Sequence, residues 1–151
     1  KEILRAELKA VGIDYVFLGV ELGGHAVDRS CYVDGKVQYD LLAHTPLFQE
    51  GLARVAKGAR SRRIALMCAE KDPLMCHRAI LVCRHLQAHG ITAQHIHEDA
   101  RLETHDDAIS RLLEELGFAD RDLFSTRDDL IAEAYSRRGR QIAYSEKQPH
   151  L

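Results

Sequence analysis

The segment from Cys68 to Arg78, which reads Cys-Ala-Glu-Lys-Asp-Pro-Leu-Met-Cys-His-Arg, holds the densest group of chemically reactive side chains in the sequence. It follows a predicted strand over residues 64–68 and enters a helix predicted to start at Asp72-Pro73 and to run to about His89. A helix N-terminus carries unpaired N–H groups and about half a positive charge, which favours anions and thiolates. The pattern therefore predicts a site that combines thiol chemistry with anion binding.

The side chains of this segment fall into catalytic and binding groups. A thiol at Cys76, near the helix start, can have a pKa below about 8.5, and a nearby His77 or Arg78 would lower it further. Arg78 is suited to hold a phosphate or carboxylate with two hydrogen bonds. Glu70 is placed to act as an acid or base or to hold Arg78. We therefore predict that Cys68, Glu70, Cys76 and His77 are catalytic and that Arg78 binds the ligand.

Packing offers a second interpretation of the same residues. Cys76 and Cys83 share one helical face, so Cys76 fits a core position as well as a reactive one, and Cys83 is predicted to be core. Cys68 ends an apolar strand, where packing alone could explain it. His77 and Arg78, however, place two cationic groups against the helix dipole at a cost of roughly 0.3–1 kcal/mol each, which favours a functional role.

A metal site is the main chemical alternative. Cys68, Cys76 and His77, together with a distant His95 or His97, could supply four nitrogen and sulfur ligands. The Cys-x₇-Cys-His spacing is not that of a known zinc finger. Adjacent residues on a helix are expected to point in different directions, which separates Cys76 from His77. The preferred interpretation therefore contains no metal, and no cofactor is identified.

The elements predicted to position the motif alternate between strands and helices. Strands are predicted over 14–21, 64–68 and 92–97, and helices over 3–11, 45–58, 72–89 and 104–116 and from Thr126 onward. Thr45 and Thr104 are predicted to cap their helices, Thr126 with Asp129 to start the last helix, and Asp34-Gly35 to form a turn. This order predicts a three-layer α/β fold with a mostly parallel sheet, Rossmann-like or flavodoxin-like. Because such folds usually begin with a strand, we expect an N-terminal strand to be missing. Residues 1–136 are predicted to form one α/β domain, and 137–151 a polar, frayed tail.

Ligands of parallel sheets bind beyond the carboxyl ends of the strands, which adds two segments to the predicted site. Gly23 and Gly24 follow the first strand and suit a close backbone approach to a ligand, although an ordinary strand exit uses the same residues. His95 and His97 lie on one face of the third strand, and His95 is predicted to contact the ligand. The sequence contains no dinucleotide-binding fingerprint, phosphate-binding loop or nucleophile elbow.

Composition limits the class of protein and its partners. Hydrophobic residues make up 46% and charged residues 29% of the 151 positions, as in a globular domain and unlike a disordered or fibrous chain. A net charge of -2 argues against binding nucleic acid or a membrane by bulk charge. The four cysteines lack the spacing of a secreted disulfide framework, and no apolar stretch reaches about 18 residues, so we expect a cytoplasmic protein. The expected partner is an anionic small molecule, a nucleotide or a nucleic-acid fragment, and a homo-oligomer is compatible with the sequence.

The motif resembles the signature of the bacterial and archaeal domain-of-unknown-function family 488. The resemblance is carried by Ala65 to Pro73 followed by Cys76-His77-Arg78, and it extends over roughly residues 3–117. Further matching pieces are Leu22-Gly23-Gly24, Tyr32, Tyr39, Thr45-Pro46 through Phe48, Gly51-Leu52, His95-Ile96 and Leu102-Glu103-Thr104-His105. The resemblance implies an α/β fold and a pocket around the motif, and it adds Tyr32 to the predicted ligand-binding residues. It implies no particular reaction.

Two departures from the family pattern bear on these expectations. Family members usually open with a strand ending in Gly-His and a second one ending near an Asp–Arg pair, and both are absent here. His25 stands where an arginine is expected after Gly23-Gly24. The function predicted from the sequence is a thiol-dependent enzyme or a binding protein for an anionic ligand. The alternatives are a metal-binding module that uses Cys68, Cys76 and a histidine, and a non-catalytic scaffold domain with its cysteines in the core.

Overall fold

A computed structural model describes residues 2–118 and 125–146. Within these residues the fold combines six α-helices with two small antiparallel sheets. The helices are α1 (Glu2–Ala10), α2 (Tyr39–Ala43), α3 (Pro46–Ala59), α4 (Arg84–Gln87), α5 (His105–Glu115) and α6 (Arg127–Ile142). The strands are β1 (Tyr32–Val33), β2 (Lys36–Val37), β3 (Gln94–Ile96) and β4 (Leu102–Thr104).

The predicted three-layer parallel sheet is wrong. Two of its three strands, 14–21 and 64–68, form no strand ladder in the described residues. Their apolar side chains are largely exposed, with Val16 at 56% and Met67 at 67% of full exposure. An apolar run favours burial, but a sheet requires hydrogen bonds between strands, and the run does not indicate which segment would supply them.

The third predicted strand exists as β3, but its partner is the next strand along the chain. β3 pairs antiparallel with β4, with His95 opposite Glu103. The backbone N–H of His97 donates to the carbonyl of Arg101 at 2.9 Å, which closes the connection between the two strands. So short a connection can only reverse the chain, because a parallel crossover needs a dozen or more residues. The β1–β2 hairpin turns at Asp34-Gly35 as predicted, with φ of 51° and 78°.

Helix starts follow the capping residues that the sequence predicts. Thr45, Thr104 and Thr126 each accept a backbone N–H bond from three residues further on, and Thr126 forms a reciprocal capping box with Asp129. Helix α6 continues to Ile142, so the segment from Arg137 that was expected to fray is helical over its first part. The division of the chain at residue 136 stays a prediction, and 147–151 lie outside the described residues.

The helix predicted over 72–89 is interrupted. A 3-10 turn over Pro73–Met75 begins where the Asp72 side chain accepts a bond from the Leu74 N–H at 2.9 Å. Cys76 then has an extended backbone, with φ −128° and ψ 137°. The helix begins again at His77, continues as a π-helical segment over Arg78–Cys83 and then becomes α4. Segments of π-helix are rare and occur frequently at functional sites.

Two hydrophobic clusters form the core on either side of this interrupted helix. The first includes Leu52 and Phe48 of α3 together with Leu81 and Val82. The second is built from α5 and α6 and includes Ile80. Because one π-helical segment contributes to both clusters, the backbone that follows the motif is anchored on two sides. Within residues 2–118 and 125–146, no helix is both long and apolar enough to cross a membrane.

Candidate functional site

Three side chains of the motif converge in what we call the thiol cluster, Cys68, Cys76 and His77. The Nδ1 atom of His77 lies 4.0 Å from the sulfur of Cys68 and 4.0 Å from the sulfur of Cys76. All three donor atoms lie within 4.8 Å of one another. The expectation that Cys76 and His77 point apart was wrong, because the extended backbone at Cys76 interrupts the helix on which that expectation rested.

The two thiols of the cluster differ in accessibility. Cys76 is 1% exposed, whereas Cys68 is half-buried and reaches the surface. Burial raises the pKa of the Cys76 thiol, and the hydrogen bonds and charge of Arg78 oppose that rise. Cys68 is therefore the thiol of this pair that a molecule in solution can reach.

Arg78 ties the cluster to the segment before it. Its Nε donates to the sulfur of Cys76 at 3.1 Å, and its backbone N–H donates to the same sulfur at 3.4 Å. Its two terminal nitrogens donate to the carbonyls of Leu66 at 3.2 Å and Glu70 at 2.9 Å. Arg78 thus holds residues 66–70 against Cys76, and two N–H bonds at one sulfur stabilise a thiolate there. Its role as an anion ligand stays a prediction.

His77 is held as a neutral imidazole. Burial above all, together with the positive charge of Arg78, lowers its pKa to about 4. Gly24 lies against the ring, since a Cβ atom there would sit 3.3 Å from Cγ of His77. Gly23 faces elsewhere: a Cβ atom at that position would lie 2.2 Å from the carbonyl oxygen of Gly19. Of the two predicted glycines, Gly24 therefore borders the cluster and Gly23 shapes the turn.

Glu70 and Tyr32, also predicted as site residues, occupy different places. Glu70 takes part through its backbone carbonyl, which binds Arg78, while the residue itself is exposed. The hydroxyl of Tyr32 donates to the carbonyl of Ala26 at 3.0 Å, and the Arg29 guanidinium lies over its ring at 4.6 Å. Tyr32 therefore braces the loop before the β1 hairpin, and a ligand contact by Tyr32 stays a prediction.

Tyr39, for which no role was predicted, is a neighbour of the thiol cluster. Burial raises the pKa of its hydroxyl, and negative charge on Cys76 or Cys68 would raise it further. Its ring packs against α6, where a Cβ atom at Gly139 would lie 3.3 Å from the ring. The appearance of Tyr39 beside the motif in the family resemblance was the available signal.

His95, predicted to contact the ligand, belongs to a second group, the histidine cluster of Cys83, His95 and His105. The Nε2 atom of His95 lies 2.9 Å from Nδ1 of His105, and Nε2 of His105 lies 2.8 Å from the Tyr135 hydroxyl. The three donor atoms lie within 4.8 Å of one another, and all three residues are buried. Burial lowers the pKa of His105 to about 4 and raises that of Cys83 to about 11. Nothing in the sequence spacing pointed to His105 or Tyr135.

His97, the other distant histidine considered as a metal ligand, is also engaged elsewhere. Its Nε2 lies 2.8 Å from a carboxylate oxygen of Glu103, which is 7% exposed. Two bonds from Arg111, each 3.0 Å, hold the same carboxylate and lower the pKa of Glu103 to about 2. Arg111 also donates to Asp72 at 3.2 Å, the residue that caps the turn before Cys76. This ion-pair network, which sequence reasoning missed, fixes the turn that leads into the thiol cluster.

Comparison with known families gives a match that covers the segment carrying the motif. A family model described as "Domain of unknown function DUF488" matches residues 1–84, more than half of the 151. The match contains the whole Cys68 to Arg78 segment and ends before β3, so it is shorter than the 3–117 expected from the sequence. No curated protein and no solved structure gives a significant match. The chain belongs to the DUF488 family of domains.

Proposed function

We propose that the thiol cluster is a thiol-dependent site in which Cys68 is the reactive group. The proposal is carried by one observation, the 4.0 Å separation between the Cys68 sulfur and Nδ1 of His77. A thiolate is the nucleophilic form of cysteine, and an adjacent imidazole is the commonest side chain that takes up the thiol proton. The half-buried position of Cys68 supports the assignment, since its partner Cys76 is 1% exposed.

The neighbours of Cys68 have separate parts in this proposal. Because the pKa of His77 is about 4, its imidazole is neutral at rest and accepts the proton of Cys68 only while the sulfur attacks the substrate, a step in which the 4.0 Å separation shortens; the proton then passes to the leaving group or to solvent. Cys76 and Arg78 form a fixed pair behind it, which keeps residues 66–70 in place. The guanidinium adds positive charge to the cluster at the sulfur of Cys76, which lies 3.1 Å from its Nε. The preferred substrate is therefore an electrophile that carries an anionic group, such as a nucleotide.

Alkylation of the reduced protein tests the reactive thiol. Iodoacetamide at neutral pH, followed by peptide mapping, is expected to modify Cys68 before Cys31, Cys76 and Cys83, which are all buried. Replacing the imidazole in His77→Asn is expected to slow modification of Cys68 by about tenfold or more. Equal rates in the wild type, the variant and the urea-unfolded protein would contradict the proposal.

The same assay tests the class of ligand. A nucleoside monophosphate at millimolar concentration is expected to slow alkylation of Cys68, because an anion beside Arg78 would block access to the sulfur. Adenosine, which lacks the phosphate, is the matched control and should protect less. Equal protection by the two compounds, or protection by neither, would contradict the proposal that the ligand is anionic. The reactivity of Cys68 is tested independently by alkylation without ligand.

A further inference from the structure

We infer that the thiol cluster also binds a borderline-soft divalent cation of the Zn²⁺ type, with Cys68, Cys76 and His77 as its three protein ligands and one position open. The inference concerns the same site as the proposed function, since a bound cation would cover the Cys68 sulfur and regulate its reactivity. The inference of cation binding depends on the donor atoms and their geometry, so it can be tested separately from the reactivity of the free Cys68 thiol.

The donor set selects the class of cation. Two sulfurs and one imidazole nitrogen suit Zn²⁺ and neighbouring soft metals, whereas Mg²⁺ and Ca²⁺ require mainly oxygen ligands. Two cysteines, one histidine and an open fourth position is one of the ligand sets of catalytic zinc. Cys68 is half-buried, so solvent reaches the cluster and water or an anionic ligand could complete the coordination.

The distances are close to those that coordination needs. With Zn–S of about 2.3 Å and Zn–N of about 2.0–2.1 Å, a tetrahedral site separates two sulfurs by about 3.8 Å and a sulfur from a nitrogen by about 3.6 Å. In the structure each sulfur lies 4.0 Å from Nδ1 of His77, and no pair of donors is more than 4.8 Å apart. Each donor would therefore shift by less than about 1 Å to meet one cation.

Groups around the cluster support coordination. Arg78 donates two N–H bonds to the Cys76 sulfur, the kind of outer contact that orients a ligand and stabilises its ionised form. Gly24 lies against the His77 ring, where a Cβ atom would sit 3.3 Å from Cγ. Binding converts two thiols to thiolates while the imidazole is already neutral, so each cation taken up releases about two protons to solvent.

The histidine cluster offers a similar donor set but is less suited to a cation. Its His95 and His105 nitrogens already face one another at 2.9 Å, and the second nitrogen of His105 faces Tyr135 at 2.8 Å. A cation there would have to break this buried hydrogen-bond chain. The Cys83→Ser variant therefore distinguishes binding at the histidine cluster from binding at the thiol cluster.

Metal titration of the full chain tests the inference. The reduced protein, free of any polyhistidine tag, is titrated with Zn²⁺ in equilibrium dialysis and with Co²⁺ as a spectroscopic probe. We expect one equivalent bound, thiolate-to-cobalt absorption in the near ultraviolet, and about two protons released per cation. Cys68→Ser and His77→Asn should each weaken binding by more than about 100-fold, since loss of an outer contact alone costs about 10–100-fold. Cys31→Ser, a buried thiol outside both clusters, should bind like the wild type.

Several results would overturn the inference. They are the absence of stoichiometric binding, binding that survives in both Cys68→Ser and His77→Asn, and binding that is lost only in Cys83→Ser. If the variants fail to fold, as judged by circular dichroism, the wild type still decides the matter. Zn²⁺ should then slow alkylation of Cys68 by more than about tenfold, because a coordinated thiolate is shielded, and an unchanged rate overturns the inference. Alkylation without metal tests the proposed function separately.

Discussion

The Nε atom of Arg78 lies 3.1 Å from the sulfur of Cys76, and the backbone N–H of Arg78 lies 3.4 Å from the same atom. One residue thus gives a buried sulfur both of these hydrogen bonds and a positive charge. Because the other end of the guanidinium binds the carbonyls of Leu66 and Glu70, the contact also fixes the segment that carries Cys68. The geometry of the thiol cluster therefore depends on Arg78 as well as on its own three members.

Arg78→Lys tests that dependence. Lysine keeps the charge but lacks the planar fork, so it cannot reach the sulfur and both carbonyls together. We expect Zn²⁺ affinity to fall by about tenfold, and stability in urea to fall by about 1–2 kcal/mol. Arg54→Lys is the matched control, because Arg54 is exposed and pairs with Glu21 at 3.6 Å. Wild-type affinity in Arg78→Lys would contradict the supporting role of the guanidinium.

Gly24→Ala is expected to disturb the imidazole. The added methyl would lie 3.3 Å from Cγ of His77, which pushes the ring by a few tenths of an ångström. Alkylation of Cys68 should slow and Zn²⁺ should bind more weakly, with little loss of stability. Gly23→Ala should instead lower stability with little specific effect on alkylation or Zn²⁺ binding, since its methyl would lie 2.2 Å from the Gly19 carbonyl oxygen and destabilise the turn. If the two variants behave alike, the contact between Gly24 and His77 has no special importance.

The buried histidine chain predicts a loss of stability in mild acid. The folded pKa of His105 is about 4, below its ordinary 6.5. Between these values the unfolded chain takes up a proton that the folded protein excludes, so stability falls from pH 6.5 to about 4 and then levels off for this group. Urea unfolding between pH 7.5 and 4.5 measures the fall. His105→Asn should be less stable at pH 7.5 and show a shallower decline, and an unchanged slope would argue against the assignment.

Glu103 predicts a second loss at lower pH. Its folded pKa of about 2, set first by the bonds from Arg111, lies below the ordinary 4.5. The carboxylate therefore stabilises the fold above pH 4.5, and this contribution is lost as the pH falls toward 2. Glu103→Gln should lower stability at pH 7 by about 2 kcal/mol, and the difference from wild type should shrink in acid. Glu114→Gln, at an exposed position, is the control, and equal effects of the two substitutions would contradict the role of the network.

Local signals in the sequence predicted local structure well. The caps at Thr45, Thr104 and Thr126 and the turn at Asp34-Gly35 follow from hydrogen bonding within a few residues, and the structure confirms them. The predicted parallel sheet was wrong because an apolar run indicates burial but does not specify which distant segment it pairs with.

The candidate site was predicted in part for a similar reason. The motif identified Cys68, Cys76, His77 and Arg78, which the structure does bring together. His95 was grouped with them because a parallel sheet would align its strand end with theirs, whereas the β3–β4 hairpin places it beside His105. The break at Cys76, which allows two adjacent side chains to face one point, has no recognised sequence signature.

The measurement that tests the central claim most directly is the rate at which iodoacetamide modifies Cys68 at neutral pH in the wild type and in His77→Asn. If the two side chains act together across the 4.0 Å that separates them, the rate in the variant falls by about tenfold or more. If the two rates are equal in proteins of equal stability, Cys68 and His77 are neighbours without a shared function.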